Sequence, residues 1–200
     1  MKIKIRLSEA DCRAAQEFAI KRCDEEQSLY QRRGAFKEED IIIGAMAELG
    51  VYRFLRSQGI KVTKPDFKIY AAYKKSYAPD MKAGMRFFHV KGQSLFSANR
   101  YGKSWLMQRT DPLVKDPKTG HYICPCVVDL KRGTVSIYGV IPAKSLVSQG
   151  CIGECMVPSF RHSKVAIYYD IIRSNLKGSY KWLGIPEDKR KELCFVKDKK

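Results

Sequence analysis

The stretch "HYICPCVVDLKRGTVSIYGVIP", from His121 to Pro142, constrains the fold more than any other part of this chain. Two apolar runs flank the polar turn Lys131-Arg132-Gly133, which is the pattern of an antiparallel hairpin. The first run holds Cys124 and Cys126 among Ile123, Val127 and Val128, so it reads as a strand buried within a sheet. Pro142 then opens "AKSLVSQG" as a short helix.

Ahead of the hairpin the periodicity is first helical and then strand-like. "RLSEADCRAAQEFAIKRCDEEQSLYQRRG" predicts a helix with Ser8 as N-cap that ends near Gly34. "KEEDIIIGAMAELGVYRFLRSQG" predicts a second helix, acidic in its first turn and stopped at Gly59. Its small residues Gly44, Ala45 and Ala47 permit close packing on a sheet, and Glu48 lies among apolar neighbours. From Ile60, "IKVTKPDFKIYAAY" alternates in part around a proline break, and "SYAPDMKAG" is rich in turn residues. "MRFFHVKGQ" predicts a short strand ending at Gly92, and "KSWLMQR" another. "KVAIYYDIIRSN" fits a strand or a helix. The order predicts an α/β (α+β) fold in one domain over 1–200, with a helical extension at 1–36, a core at 37–150 and a basic segment at 151–200.

The chain carries 38 Lys and Arg against 21 Asp and Glu, a net charge of +17. Such an excess attracts polyanions, of which nucleic acid is the commonest. No apolar run approaches the roughly 18–20 residues that span a bilayer, and "MKIKIRLSEADC" has no signal-peptide core. The expectation is a cytoplasmic protein with no membrane partner. Seven cysteines, Cys12, Cys23, Cys124, Cys126, Cys151, Cys155 and Cys194, are odd in number and irregular in spacing, which predicts free thiols.

Chemistry concentrates in "APDMKAGMRFFHVKGQS", where Asp80 precedes Lys91 by eleven residues. Residues two apart on a strand share a face, so His89, Lys91 and Gln93 line one side while Phe88 and Val90 turn to the core. Phosphodiester hydrolysis needs an activated water and groups that stabilise the charge of the transition state and leaving oxygen. Carboxylates holding Mg²⁺, with a lysine beside them, supply most of this.

These residues, Pro79-Asp80, then His89-Val90-Lys91 with Gln93, and Glu48 on the upstream helix, resemble the PD-(D/E)xK nuclease superfamily of restriction-endonuclease-like fold. The hairpin and short helix that follow are similar to those of small phage and restriction-type members, and the resemblance covers about residues 38–150. It implies a central mixed sheet flanked by helices and cleavage of DNA with Mg²⁺ or Mn²⁺. It also implies Asp80 as main metal ligand, Glu48 as a second or water-mediated ligand, Lys91 as the catalytic lysine and Gln93 as a group lining the site. His89 stands where the family pattern has Asp or Glu. Three readings of it stay open: a metal ligand favouring softer ions, a general base, or the mark of a site that keeps only DNA binding. Asp66, in a second Pro-Asp pair, is the alternate metal-binding Asp.

Downstream, Arg100, Lys103, Ser104, Gln108 and Arg109 mix cations and polar groups as phosphate-tracking surfaces do, while Trp105 beside Leu106 reads as core. Cutting both strands of a duplex takes two active sites, which points to a homodimer. His121, Cys124, Cys126, Cys151 and Cys155 raise a structural zinc site in a basic interaction protein as a weaker alternative. His162, between Arg161 and Ser163 and near Lys164, reads as part of a solvated basic loop. The rival of different class is a non-catalytic nucleic-acid-binding protein that keeps the nuclease-like fold.

Overall fold

The computed structural model describes residues 2–26, 37–69 and 77–176. Ile3–Arg6 forms strand β1 and Glu9–Glu26 helix α1. Between them Ser8 and Asp11 cap each other reciprocally: the Asp11 N–H donates to Ser8 Oγ (3.2 Å) and the Ser8 N–H to Asp11 Oδ2 (3.0 Å). This satisfies helix N–H groups that otherwise lack partners. The predicted helix end near Gly34 lies outside the described residues. Helix α2, Lys37–Ser57, follows its prediction closely, with Gly59 beyond its end at a φ of 75°.

Ile60–Ile69, expected to be strand-like, forms no strand. Pro65 removes a ladder donor there, and Asp66 accepts the Lys68 N–H in a local turn (3.0 Å) instead. Thr63 links this stretch to Lys82, through its N–H and its hydroxyl. Strands β2 (Met81–Ala83) and β3 (Arg86–Ser94) pair antiparallel. Helix α3 (Leu95–Tyr101), strand β4 (Ser104–Gln108) and the single turn α4 (Pro112–Lys115) follow. The predicted hairpin is present as β5 (His121–Asp129) and β6 (Thr134–Ile137). Beyond it come β7 (Ile141–Pro142), helix α5 (Ala143–Ser148) and strand β8 (Ile152–Glu154). The ambiguous "KVAIYYDIIRSN" is both alternatives in turn, β9 (Lys164–Tyr168) and α6 (Tyr169–Asn175).

The main sheet runs β1-β6-β5-β3-β2, with β7 also paired to β5, and a second antiparallel sheet runs β4-β9-β8. Strand β5 lies parallel to β3 and antiparallel to β6, so the sheet is mixed. The N-terminal strand, placed by the sequence in an extension, pairs with β6 and completes this sheet. On one face Cys124, Cys126 and Val128 of β5 meet Ile43, Met46, Ala47, Val51, Phe54 and Leu55 of α2. On the other, Ile123 and Val127 meet Trp105, Leu146, Val165 and Ile167. An apolar run covered on both sides explains why β5 shows no polar alternation.

Helix α2 approaches the sheet through glycine. A Cβ on Gly92 of β3 would lie 3.1 Å from Ile43 and 3.2 Å from Ala47, and one on Gly50 would lie 2.7 Å from the Val135 Cβ. We predict that Gly50→Ala destabilises the fold. Overpacking costs about 1–3 kcal/mol, against a helix-propensity gain of about 1 kcal/mol. A thermal melt should show a lower Tm, and an unchanged or higher one would refute this account of the α2–β6 contact.

Candidate active site

Edge strand β2 is short, and its pairing covers only Arg86 to Phe88 of β3. Beyond that point no described strand pairs with this edge of β3, and its backbone donors need other partners. Asp80, just before β2, supplies one: its Oδ2 accepts the Val90 N–H at 2.6 Å, while its own N–H donates to the Phe88 carbonyl (2.9 Å). The carboxylate is thereby fixed at the sheet edge beside His89, Val90 and Lys91.

Glu48 enters from α2. Burial, and then the charge of Asp80, pushes its carboxyl up to about 8. Burial likewise raises Asp80, against the opposing pull of the Val90 N–H and the Lys91 ammonium. The Lys91 charge bears on Glu48, Asp80 and His89 alike. Arg22 of α1 and Asp66 also act on Glu48, with opposite signs. Residues spread from α1 to β3 thus share one electrostatic neighbourhood, and Asp66 belongs to it while remaining exposed.

His89 differs from the expectation of a half-buried strand with one polar face. Both Phe88 and His89 are buried, at 2% and 4% exposure. Phe88 and Val90 face the α2 core as expected, and alternation places Phe87, His89, Lys91 and Gln93 on the opposite face. There His89 Nε2 lies 3.0 Å from His121 Nδ1 of β5, with the rings stacked 5.2 Å apart and Phe87 stacked on His121 at 4.8 Å. Burial, with Lys91 and His121 nearby, depresses His89 to about 4, so its imidazole is neutral at pH 7. His121 is the partner the sequence did not pair with His89. Its only signal was its place at the start of the buried strand, 32 residues away.

Gln93 does not point at the carboxylates. Its Nε2 donates to the Gly102 carbonyl (3.0 Å) and its Oε1 accepts the Ser104 N–H (3.1 Å), tying the start of β4 to β3. Ser104 is therefore held through its backbone. Arg109 pairs with Glu154 and donates to the Arg161 carbonyl, so it braces the second sheet. Gln108 is half-buried in β4, whereas Arg100 and Lys103 are exposed. Trp105 is core, as expected, with its Nε1 donating to the Cys126 carbonyl at 2.8 Å.

Two half-buried carboxylates in mutual repulsion call for a proton or a cation. Among the described residues no group of three or more His, Cys, Asp or Glu is placed to hold a metal ion. That gives no closed zinc site, and Cys124, Cys126 and Cys151 are free thiols buried in the cores. Two oxygen donors do fit Mg²⁺, which is commonly bound by one or two carboxylates with water and substrate phosphate completing the shell. His89, with its Nε2 turned to His121, does not extend this pair to a triad. Among the described residues no helix is long and apolar enough to cross a membrane. The chain matches no family model, no curated protein and no solved structure, so the functional reading rests on the geometry of this site alone.

Proposed function

We propose that this protein is a metal-dependent endonuclease that hydrolyses phosphodiester bonds in DNA, of the PD-(D/E)xK kind. One observation carries the reading. Glu48 from a helix, Asp80 from a strand start and Lys91 from the next strand act on one another at a sheet edge, with both carboxyls pushed up. The charge of +17 supports a polyanionic substrate.

In this reading Asp80 and Glu48 hold Mg²⁺ or Mn²⁺, which when bound would acidify a water and neutralise phosphate charge. Asp80 is positioned for this by its bond to Val90. Lys91 orients the attacking water or stabilises charge on the phosphoryl oxygens. His89 stays neutral, packs on His121 and shapes the wall of the site.

A second reading has its own observation. With a neutral His89 where the family pattern has a carboxylate, the site lacks one negative charge, which favours a DNA-binding protein without turnover. Supercoiled plasmid incubated with Mg²⁺, Mn²⁺ or EDTA separates the two. The nuclease reading expects nicked and linear product with either metal and none with EDTA. A plasmid shifted on a gel yet uncut under every metal would replace it with the binding reading.

A further inference from the structure

Helix α3 follows the site strand without a linker and carries aromatic side chains into solvent. Phe96 is 69% exposed, Tyr101 60% and Leu95 39%. Ala98 is the residue that α3 buries. At about 100° per residue, Phe96 and Arg100 stand opposite Ala98 on the outer face, one turn apart. Arg100 also lies over the Tyr101 ring, 5.2 Å from its centroid, and Lys103 lies 5.3 Å from the Tyr169 ring and 5.7 Å from that of Tyr138.

Both ends of this helix are fastened to the site strand. Ser94, the last residue of β3, caps it by accepting the Ser97 N–H (3.0 Å). Gln93, two residues after Lys91, clamps Gly102 and Ser104 just past its C-terminus. Nothing acidic intervenes: residues 81–110 contain no Asp or Glu, while Lys82, Arg86, Lys91, Arg100, Lys103 and Arg109 fall among them. Exposed rings beside cations, with no acidic residue in this stretch of sequence, suit an anion with flat apolar faces.

We infer that α3, with Phe96 and Arg100 on its outer face and the exposed Tyr101 and Lys103 at and just past its C-terminal end, is a stacking platform for unpaired bases of single-stranded DNA. The rings take base faces and the cations take the phosphates between them. A duplex hides its base faces in its own stack and offers only phosphates to such a surface, so the platform distinguishes unpaired from paired DNA. The inference deepens the proposed function, resting on its nucleic-acid substrate but not on cleavage. It places an unpaired stretch next to Lys91.

The test is fluorescence anisotropy in EDTA, where no cleavage occurs, with labelled oligothymidylate and a duplex of equal length. Phe96→Ala with Tyr101→Ala should weaken single-strand binding by roughly tenfold or more. The salt slope should be unchanged and the duplex little affected, and Phe96→Tyr should bind like wild type. Both side chains are exposed, so the variants should fold. Equal loss on both DNAs, or no loss, would overturn the inference. So would a homodimer that dissociates in the double variant while oligonucleotide binding persists. Plasmid cleavage is scored separately. Cleavage with no selective loss of binding would sink the platform and keep the nuclease, and selective loss without cleavage would do the reverse.

Discussion

Asp80→Asn and Lys91→Met should each slow single-turnover nicking of plasmid by about 10²–10⁴-fold, while circular dichroism and Tm stay close to wild type. The magnitude is what removing one positioned charge-stabilising or proton-transferring group costs in a preorganised site. Each substitution follows from the contacts of the residue it replaces. Asp80 accepts the Val90 N–H at a sheet edge where no described strand pairs. Alanine there would orphan a backbone donor and cost stability as well as activity. Asparagine keeps an acceptor of the same shape and removes the charge. Methionine at Lys91 keeps the apolar stem on the strand and removes the ammonium that bears on Glu48 and Asp80. Because the groups act together, the double variant should be little slower than either single one. Rates within threefold of wild type in both single variants would place the chemistry elsewhere.

Where sequence and structure agree, the signal was local. Helix α2 announces itself through an acidic first turn, a long apolar period and a terminal glycine, and all three operate within a few residues of the features they specify. The hairpin β5–β6 was legible for the same reason. Strand β1 was missed because four residues, Ile3–Arg6, are too few to establish alternation, and their partner β6 lies more than a hundred residues along the chain. Strand β8 is three residues long and exists through its pairing with β9. The stretch around Pro65 misled in the other direction: apolar residues alternate in part around the proline break, yet residues 60–69 form no strand. At the site, the order of Glu48, Asp80 and Lys91 was visible in the sequence. The pairing of His89 with His121 was not, because parallel register between β3 and β5 is set by tertiary packing. Gln93 carries a further lesson. A polar residue on the site face of a strand can serve the backbone of the next element rather than a substrate, and composition does not distinguish the two.

Glu48→Gln offers the largest effect on stability, and its sign depends on pH. The fold raises the Glu48 carboxyl to about 8 from an ordinary 4.5, so the folded protein prefers it protonated. Its contribution is therefore fully present below about 4.5 and is lost as pH rises through about 8. Glutamine imitates the protonated form at every pH. In EDTA the variant and wild type should melt together near pH 4.5, and the variant should melt higher from pH 7 upward, by about 5 °C at pH 9. A tenfold change in proton affinity between the folded and unfolded chain corresponds to about 1.4 kcal/mol. Because part of the rise comes from repulsion by Asp80, which can relax by taking a proton itself, about 2 kcal/mol is the scale expected. At about 2–4 °C per kcal/mol for a chain of this size, that gives the stated difference in Tm. If Asp80 and Glu48 hold Mg²⁺ as proposed, adding it should reverse the order, because a bound cation would stabilise the folded wild type by mass action, and the variant has lost one of the two carboxylates. A variant no more stable than wild type at pH 9 in EDTA would mean that Glu48 is solvated rather than buried against Asp80. A variant that gains as much as wild type from Mg²⁺ would remove Glu48 from the ligand set and leave Asp80 to hold the metal without it.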